Sequence, residues 1–143
     1  MRFWDASALV PLLTEQLQSA AMVAVSRQDR AMGVWWGTEV ECASALARME
    51  RSGAAWEGND GPWSRLARMA RDWKVVQAAP EVSAAAVRLL RVHPLRAGGA
   101  LQLAAALLLA EHQPNTLPFA ALDGRLRLAA EKEGFPLLPA TLD

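Results

Sequence analysis

Short apolar runs alternate with helix-forming segments along this chain, and that alternation constrains the fold more than any other feature. The apolar runs carry few polar side chains, as expected of strands that are buried on both faces. Strands are predicted at residues 2–5, 31–36, 74–77, 117–122 and near 136–138. The pattern predicts an α/β fold with three layers, in which helices flank a mainly parallel central sheet of about five short strands.

The helices are marked by signals at their ends. Pro62 and Pro80 occupy first turns, where a missing N–H is tolerated, and Gly134 is a helix stop. Ser7 can cap helical material after the first strand, with Pro11 early in it. Helices are predicted at residues 12–26, 38–51, 62–73, 80–91, 97–112 and 124–133, with a loop at 52–61.

The composition narrows the function classes. With 143 residues the chain fits a single domain over residues 1–143. Cys42 is the only cysteine, so no internal disulfide and no Cys-based zinc site can form, and it is expected to be buried. The longest apolar run, residues 103–110, is too short to span a membrane, which predicts a cytoplasmic protein without a membrane partner. The formal net charge is zero, so any nucleic-acid site must be a local patch.

Three acids stand where a strand-like run gives way to a helix: Asp5, Glu41 and Asp123. In an open parallel sheet the carboxyl ends of the strands share one edge, and ligands bind in the crevice outside it. Clustered acids at such an edge are what a magnesium-dependent phosphodiesterase needs. A fourth junction, residues 96–101, carries no acid.

Each acid also has a structural alternative. Thr38 and Glu41 match a capping box, and Asp5 and Asp123 can be ordinary N-caps. Capping explains each acid by itself and does not depend on which sheet edge the acid occupies. A metal site requires all three acids to lie at a common edge. Glu39 points to a different helix face from Glu41. The other acids, Glu133 among them, are expected on the solvated surface, and both histidines are expected to be structural.

Arg65, Arg68 and Arg71 recur every three residues between Trp63 and Trp73. This basic helix face is a candidate RNA contact, in which arginines follow the phosphates and a ring stacks on a base. A solvated face anchored by a core tryptophan explains the same pattern.

The number of large rings predicts a homodimer. The tryptophans are too many to bury easily in so small a core, so some are expected in a groove or at a subunit contact. The residues concerned are Trp35, Trp36, Trp56, Trp63 and Trp73.

Four segments in this order resemble the PIN domain, and specifically the VapC toxins of bacterial toxin-antitoxin pairs. They are FWDASAL at residues 3–9, ECASALAR at 41–48, LRAGGALQLA at 95–104 and FAALDGRL at 119–126. The resemblance spans nearly the whole chain and implies an endoribonuclease that uses Mg²⁺ or Mn²⁺ held by three or four acids. It also implies an RNA substrate, a cognate antitoxin and a dimer. Asp5, Glu41 and Asp123 take the positions of catalytic and metal-binding acids, with Ser7 and Ser44 as supporting neighbours.

Gly99 departs from the family pattern, which usually has an aspartate at this place. Magnesium commonly binds through one or two carboxylates plus water, so three acids can still hold one ion. The missing carboxylate would nevertheless have supplied charge and orientation, and reduced activity is therefore expected. The alternative is a catalytically degenerate PIN domain that binds RNA or an antitoxin without cutting.

Overall fold

The computed structural model describes residues 1–56, 58 and 60–142. These residues form five strands: β1 Arg2–Trp4, β2 Met32–Trp35, β3 Lys74–Val76, β4 Phe119–Ala120 and β5 Leu137–Leu138. They also form seven α-helices: α1 Ala6–Leu13, α2 Ser19–Gln28, α3 Thr38–Arg51, α4 Pro62–Arg71, α5 Pro80–Val92, α6 Ala97–Leu109 and α7 Gly124–Glu133. A short 3-10 turn at Pro114–Thr116 precedes β4.

All strand pairs are parallel, and the strand order is β3-β2-β1-β4-β5. The chain builds outward from β1 through β2 to β3, then crosses back to place β4 on the other side of β1. The strand order therefore reverses between β1 and β4. In sheets of this kind the crevice at such a switch point is where ligands bind.

Side chains alternate between the two faces of the sheet, as the pleat requires. Phe3, Trp35 and Phe119 pack against α5, α6 and α7 in one buried cluster. Their neighbours Trp4 and Val34 pack against α1 to α4 in a second cluster on the opposite face. The predicted α/β architecture, with a parallel five-stranded sheet between two helical layers, is confirmed.

The helix predicted at residues 12–26 is wrong, because the segment contains two helices. α1 ends at Leu13, and Thr14 is extended. The Ser19 hydroxyl donates to the Thr14 carbonyl oxygen at 3.0 Å and accepts from the Gln16 N–H at 2.8 Å. These local side-chain bonds compete with helix hydrogen bonds and stabilise the turn before α2.

Three other boundaries also differ from prediction. Asp5 is the N-cap of α1 and not the end of β1. The predicted strand 117–122 is reduced to β4, and α6 ends before residues 111 and 112, which adopt positive φ angles. The described part of the 52–61 loop contains turns and bends without a strand, and residues 57 and 59 lie outside the described residues.

The burial of three side chains, Cys42, Glu133 and Trp36, bears on the predictions from the sequence. Cys42 is buried, as expected, and burial raises the pKa of its thiol to about 12. Glu133 was expected on the solvated surface, but it is largely buried between Arg88 and His93, which lie 2.8 and 2.6 Å from its two oxygens. Trp36 is 58% exposed. None of the helices in the described part of the chain combines the length and apolarity needed to cross a bilayer.

Candidate active site

Asp5, Glu41 and Asp123 line one cavity of about 520 Å³, here called the acid cavity. Asp5 follows β1 and Asp123 follows β4, so these two acids flank the switch point of the sheet. Glu41 comes from the first turns of α3, which follows β2. The fold thus brings together three acids that are far apart in the sequence.

Asp5 is held by Ser7. Its Oδ2 accepts hydrogen bonds from the Ser7 backbone N–H at 3.1 Å and from the Ser7 hydroxyl at 2.5 Å. The same hydroxyl oxygen accepts from the backbone N–H groups of Leu122 and Asp123 at 2.9 and 3.3 Å. Ser7 therefore joins the β1–α1 junction to the β4–α7 junction, and it fixes one acid beside another.

Glu41 is held by a buried amide. Gln102 is fully buried on α6, and its Nε2 donates to Glu41 Oε2 at 3.2 Å and to Thr38 Oγ1 at 3.0 Å. Gln102 Oε1 is buried without a hydrogen-bond partner among the described residues. The predicted capping box does not form, because α3 is capped at Gly37 without a side-chain hydrogen bond.

Asp123 is exposed and caps α7. Its Oδ1 accepts from the backbone N–H groups of Arg125 and Leu126 at 2.9 and 3.3 Å. From the residues that the structure describes, no hydrogen bond reaches Asp123 Oδ2 or Glu41 Oε1. Capping one end of a helix and presenting an oxygen to the cavity are thus compatible for Asp123.

Burial raises the pKa values of two of the acids. Desolvation raises the pKa of Asp5, which is 5% exposed; the Ser7 bonds oppose that rise, and the nearby charge of Asp123 adds to it. Desolvation also raises the pKa of Glu41, against the Gln102 bond and together with the charge of Asp5. Both carboxylates are therefore held where their negative charge is costly without a compensating cation.

The acid cavity is also lined by Gly98 and Gly99 at the start of α6, and a Cβ added at Gly98 would lie 3.9 Å from Glu41 Oε1. A Cβ atom added at Gly99 would meet only Leu95 and Leu126 side chains, at 3.7 and 3.9 Å. These are ordinary contact distances, so the aspartate of the family pattern would fit here. Ser44, the other predicted supporting residue, is exposed and lines the cavity.

Sequence reasoning missed three residues of this region: Gln102, Arg48 and Arg96. Gln102 is the only polar residue in the apolar run 100–110, which was a usable signal. Arg48 lies seven residues after Glu41, on the same face of α3, and both arginines line the cavity.

The predicted basic face lies elsewhere. Arg65 donates to the Leu13 carbonyl oxygen at 2.9 Å and lines a separate cavity of about 400 Å³. Arg68 forms an ion pair with Asp60 at 2.7 Å, and Arg71 is exposed. None of the three lines the acid cavity, and their contact with RNA stays a prediction.

The donor set suits a hard divalent cation that keeps much of its water. Among the described residues no group of three His, Cys, Asp or Glu side chains is close enough to form a ready-made cage. Mg²⁺ does not need one, since one or two carboxylates usually hold it while water and substrate phosphate complete the shell. Asp5 and Glu41, both desolvated carboxylates on one cavity, meet that requirement.

Comparison with known proteins finds relatives by sequence and a solved structure with a similar fold. No protein-family model matches the sequence. The chain is 33% identical over 151 residues to Ribonuclease VapC45 of Mycobacterium tuberculosis strain CDC 1551 / Oshkosh and to Ribonuclease VapC49 of strain ATCC 25618 / H37Rv; each alignment covers 99% of this chain and 96% of the relative. The fold is similar to the crystal structure of PAE2754 from Pyrobaculum aerophilum, with a TM-score of 0.64, 20% identity, and coverage of 96% of this chain and 83% of that one. At that identity the structural likeness shows the fold alone.

Proposed function

Because this chain belongs to the VapC ribonuclease family, we propose that it is a metal-dependent endoribonuclease, the toxin of a toxin-antitoxin pair, and that it cuts RNA at the acid cavity. The observation that carries the proposal is the shared cavity of Asp5, Glu41 and Asp123, which come from three separate strand–helix junctions. RNA offers phosphodiester bonds on which such a cluster of acids can act with a divalent cation.

The half-buried carboxylate of Glu41 is the strongest single reason to propose a functional site here. Its predicted role as a capping residue is absent, so no helix end explains why this carboxylate is half-buried near Asp5. Burying a carboxylate is costly unless it is compensated. A bound cation would supply that compensation, and the Gln102 bond keeps the carboxylate in place.

Each acid has a role in this proposal. Asp5 and Glu41 would hold Mg²⁺ or Mn²⁺ directly or through water, and Asp123 would bind the ion or orient the attacking water. When bound, such an ion lowers the pKa of a coordinated water and offsets charge on the phosphate. Ser7 and Gln102 fix the positions of Asp5 and Glu41, and Ser44 is a polar neighbour at the rim.

Gly99 favours a second function, a degenerate PIN domain that binds RNA or antitoxin without cutting. The aspartate of the family pattern would add a fourth negative charge to the cavity, and two close unit charges repel by about 4 kcal/mol at an effective dielectric of 20. Its loss relieves that repulsion but removes a ligand. A working nuclease predicts reduced cleavage of RNA, and a degenerate binding domain predicts no cleavage.

Cleavage of a mixed RNA pool by the purified chain, with Mn²⁺, with Mg²⁺ and with EDTA, separates the two functions. Asp5→Asn and Glu41→Gln remove predicted ligands. Glu39→Gln is the matched control, because Glu39 is an exposed acid on the same helix and does not line the cavity. Gly99→Asp restores the family residue at a place where its Cβ fits.

For a working nuclease we expect metal-dependent cleavage by the wild type and by Glu39→Gln, and a loss of about 100-fold or more in Asp5→Asn and Glu41→Gln. Cleavage by Gly99→Asp alone would assign the degenerate binding role to the natural chain. Unchanged cleavage by Asp5→Asn would overturn the proposed site.

We further propose a cognate antitoxin and a cytoplasmic location. The family resemblance supports both, and an antitoxin encoded beside this chain should suppress its RNA cleavage when the two proteins are mixed. Cleavage that continues with excess neighbour-encoded protein would contradict the pairing.

A further inference from the structure

A second cavity adjoins the acid cavity. Arg96, Gly99, Asp123 and Leu126 line both the acid cavity and a neighbouring cavity of about 440 Å³. The two cavities are therefore adjacent, and together they extend the surface at the switch point beyond the three acids. We call this surface, which is lined by Arg48, Arg96 and Arg125, the arginine groove.

Three arginines line this groove. Arg48 lines only the acid cavity, Arg125 lines only the second cavity, and Arg96 lines both. Arg48 and Arg125 therefore lie toward opposite ends, with Asp123 in the part that the two cavities share.

These arginines are free to bind an anion. All three are exposed, and no described carboxylate forms an ion pair with any of them. Other arginines are already engaged, since Arg68 pairs with Asp60 at 2.7 Å and Arg88 with Glu133 at 2.8 Å. The groove thus concentrates unpaired guanidinium groups in a chain whose formal net charge is zero.

The rest of the groove wall suits a chain of sugars and phosphates. Gly99 and Gly124 present backbone without side chains, and a Cβ added at Gly124 would meet nothing within 4 Å. Leu95 and Leu126 supply apolar surface beside them. Guanidinium groups bind phosphate oxygens in pairs of parallel hydrogen bonds, which ammonium groups cannot do.

We propose that the arginine groove binds single-stranded RNA, with Arg48 contacting a phosphate on one side of the acids and Arg96 and Arg125 contacting phosphates on the other. This inference rests on the proposed function, because it takes RNA as the substrate of the acid cavity. It assigns RNA binding to a different set of arginines from Arg65, Arg68 and Arg71.

Gly99 has a positive role in this arrangement. It lies in the wall shared by both cavities, where an aspartate would place a negative charge beside Arg96 and in the path of the phosphates. The loss of that acid weakens a metal site but leaves the groove more attractive to RNA in the absence of metal. Gly99→Asp should therefore bind RNA more weakly than the wild type in EDTA.

The test is fluorescence anisotropy of a labelled single-stranded RNA in EDTA, so that binding is measured without cleavage. The groove variant is Arg96→Gln with Arg125→Gln, and Arg48→Gln is measured separately. Arg51→Gln with Arg91→Gln is the matched control, because it removes the same charge from exposed positions that line neither cavity. Arg68→Gln with Arg71→Gln tests the rival basic face. Thermal unfolding confirms that each variant is folded.

We expect the groove variant to lose about tenfold or more in affinity for RNA. The slope of log K against log salt concentration should become shallower by about 1.4, because two phosphate contacts are lost. The matched control and the rival variant should keep wild-type affinity. Equal losses in the groove variant and the matched control, a loss confined to the rival variant, or no RNA binding by the wild type would each overturn the proposal. Binding through the groove without cleavage would uphold it while the nuclease proposal fails.

Discussion

Asp5 has two tasks with conflicting demands. As the N-cap of α1 it stabilises the helix, yet desolvation and the charge of Asp123 make its ionised form costly. Asparagine caps a helix as well as aspartate does and carries no charge. The stability of the protein without a cation and the cation binding proposed for Asp5 therefore place opposite requirements on this position.

This conflict predicts a pH dependence. Because the folded-state pKa values of Asp5 and Glu41 are raised, the folded protein binds protons more tightly than the unfolded chain. The free energy of unfolding in EDTA should increase as pH falls from 7 toward the unfolded values of 3.8 and 4.5. Each unit of pKa difference contributes about 1.4 kcal/mol. Urea unfolding at about pH 7 and about pH 5 measures the effect.

Asp5→Asn should be more stable than the wild type at pH 7 and show a weaker pH dependence in EDTA. Glu133→Gln is the contrasting control. Burial opposes the shift at Glu133, but hydrogen bonds from Arg88 and His93 lower its pKa, so its contribution is lost only as pH falls below 4.5. The Glu133 carboxylate therefore stays ionised between about pH 5 and pH 7, and Glu133→Gln should keep the rise in stability that comes from Asp5 and Glu41. An Asp5→Asn variant that is less stable than the wild type at pH 7 would contradict the account.

Gln102 supports Glu41 from a fully buried position. Gln102→Met removes the hydrogen bond to Glu41 and also removes the unpartnered Oε1 atom, so the free energy of unfolding should change by only about 1 kcal/mol. Residues that orient a metal ligand typically contribute 10- to 100-fold in metal affinity, and we expect a loss of about that size in Mn²⁺ binding. Electron paramagnetic resonance of free Mn²⁺ measures it directly.

Thr38→Val is the matched control for this prediction. It removes the other partner of the Gln102 amide and leaves the bond to Glu41 in place. Mn²⁺ affinity should fall in Gln102→Met and persist in Thr38→Val. Equal losses in both variants would show that the amide acts on packing and not on Glu41.

At the scale of elements, the sequence predicted the helix ends that are marked by a proline or a glycine. Pro62 and Pro80 open α4 and α5, and Gly134 ends α7 with a positive φ angle, all as expected. The split between α1 and α2 was missed because Thr14 and Ser19 form a turn through side-chain bonds that no periodicity reveals. The capping box failed because the N-cap of α3 is Gly37, so the Glu41 N–H donates to the Gly37 carbonyl oxygen and not to the Thr38 side chain.

The two strand–helix junctions at the switch point depend on one hydroxyl group. Ser7→Ala would leave the Leu122 and Asp123 N–H groups without their acceptor and would free Asp5 from its side-chain bond. An unsatisfied buried polar group costs about 1–3 kcal/mol. We expect Ser7→Ala to lower the free energy of unfolding by about that amount and to reduce metal-dependent cleavage, as measured by urea unfolding and RNA digestion.

Ser44→Ala provides the comparison, since Ser44 is an exposed hydroxyl on the same cavity. It should leave stability within about 0.5 kcal/mol of the wild type. If Ser7→Ala were equally mild, the junctions would not depend on this hydroxyl.

At the scale of the whole molecule, the topology explains which parts of the site were predictable. Asp5, Glu41 and Asp123 follow strands, and a parallel sheet brings such positions to one edge whatever the details of packing. Gln102, Arg48 and Arg96 lie in helix bodies or at a helix start, where the rotation and docking of each helix decide what a side chain meets. Those quantities depend on the packed core, which the sequence pattern does not resolve.

The surface also bears on assembly. Trp36 and Val40 are 58% and 69% exposed, and Val87, Leu90 and Val92 on α5 are also exposed. We keep the prediction of a homodimer on this ground, since exposed apolar patches of this kind often mark contacts between proteins. Size-exclusion chromatography with light scattering at micromolar concentration should give twice the mass of 15.5 kDa. A monomer that persists as concentration rises would contradict it.

The position of β1 in the middle of the sheet has a consequence for how the protein is made. β1 precedes the other four described strands in the sequence, and its partner β4 begins only at residue 119. Contacts so distant in sequence form late. Asp5 therefore leaves the ribosome long before Asp123 exists to share its cavity, and a chain that has not reached Asp123 lacks one of the three acids of that cavity.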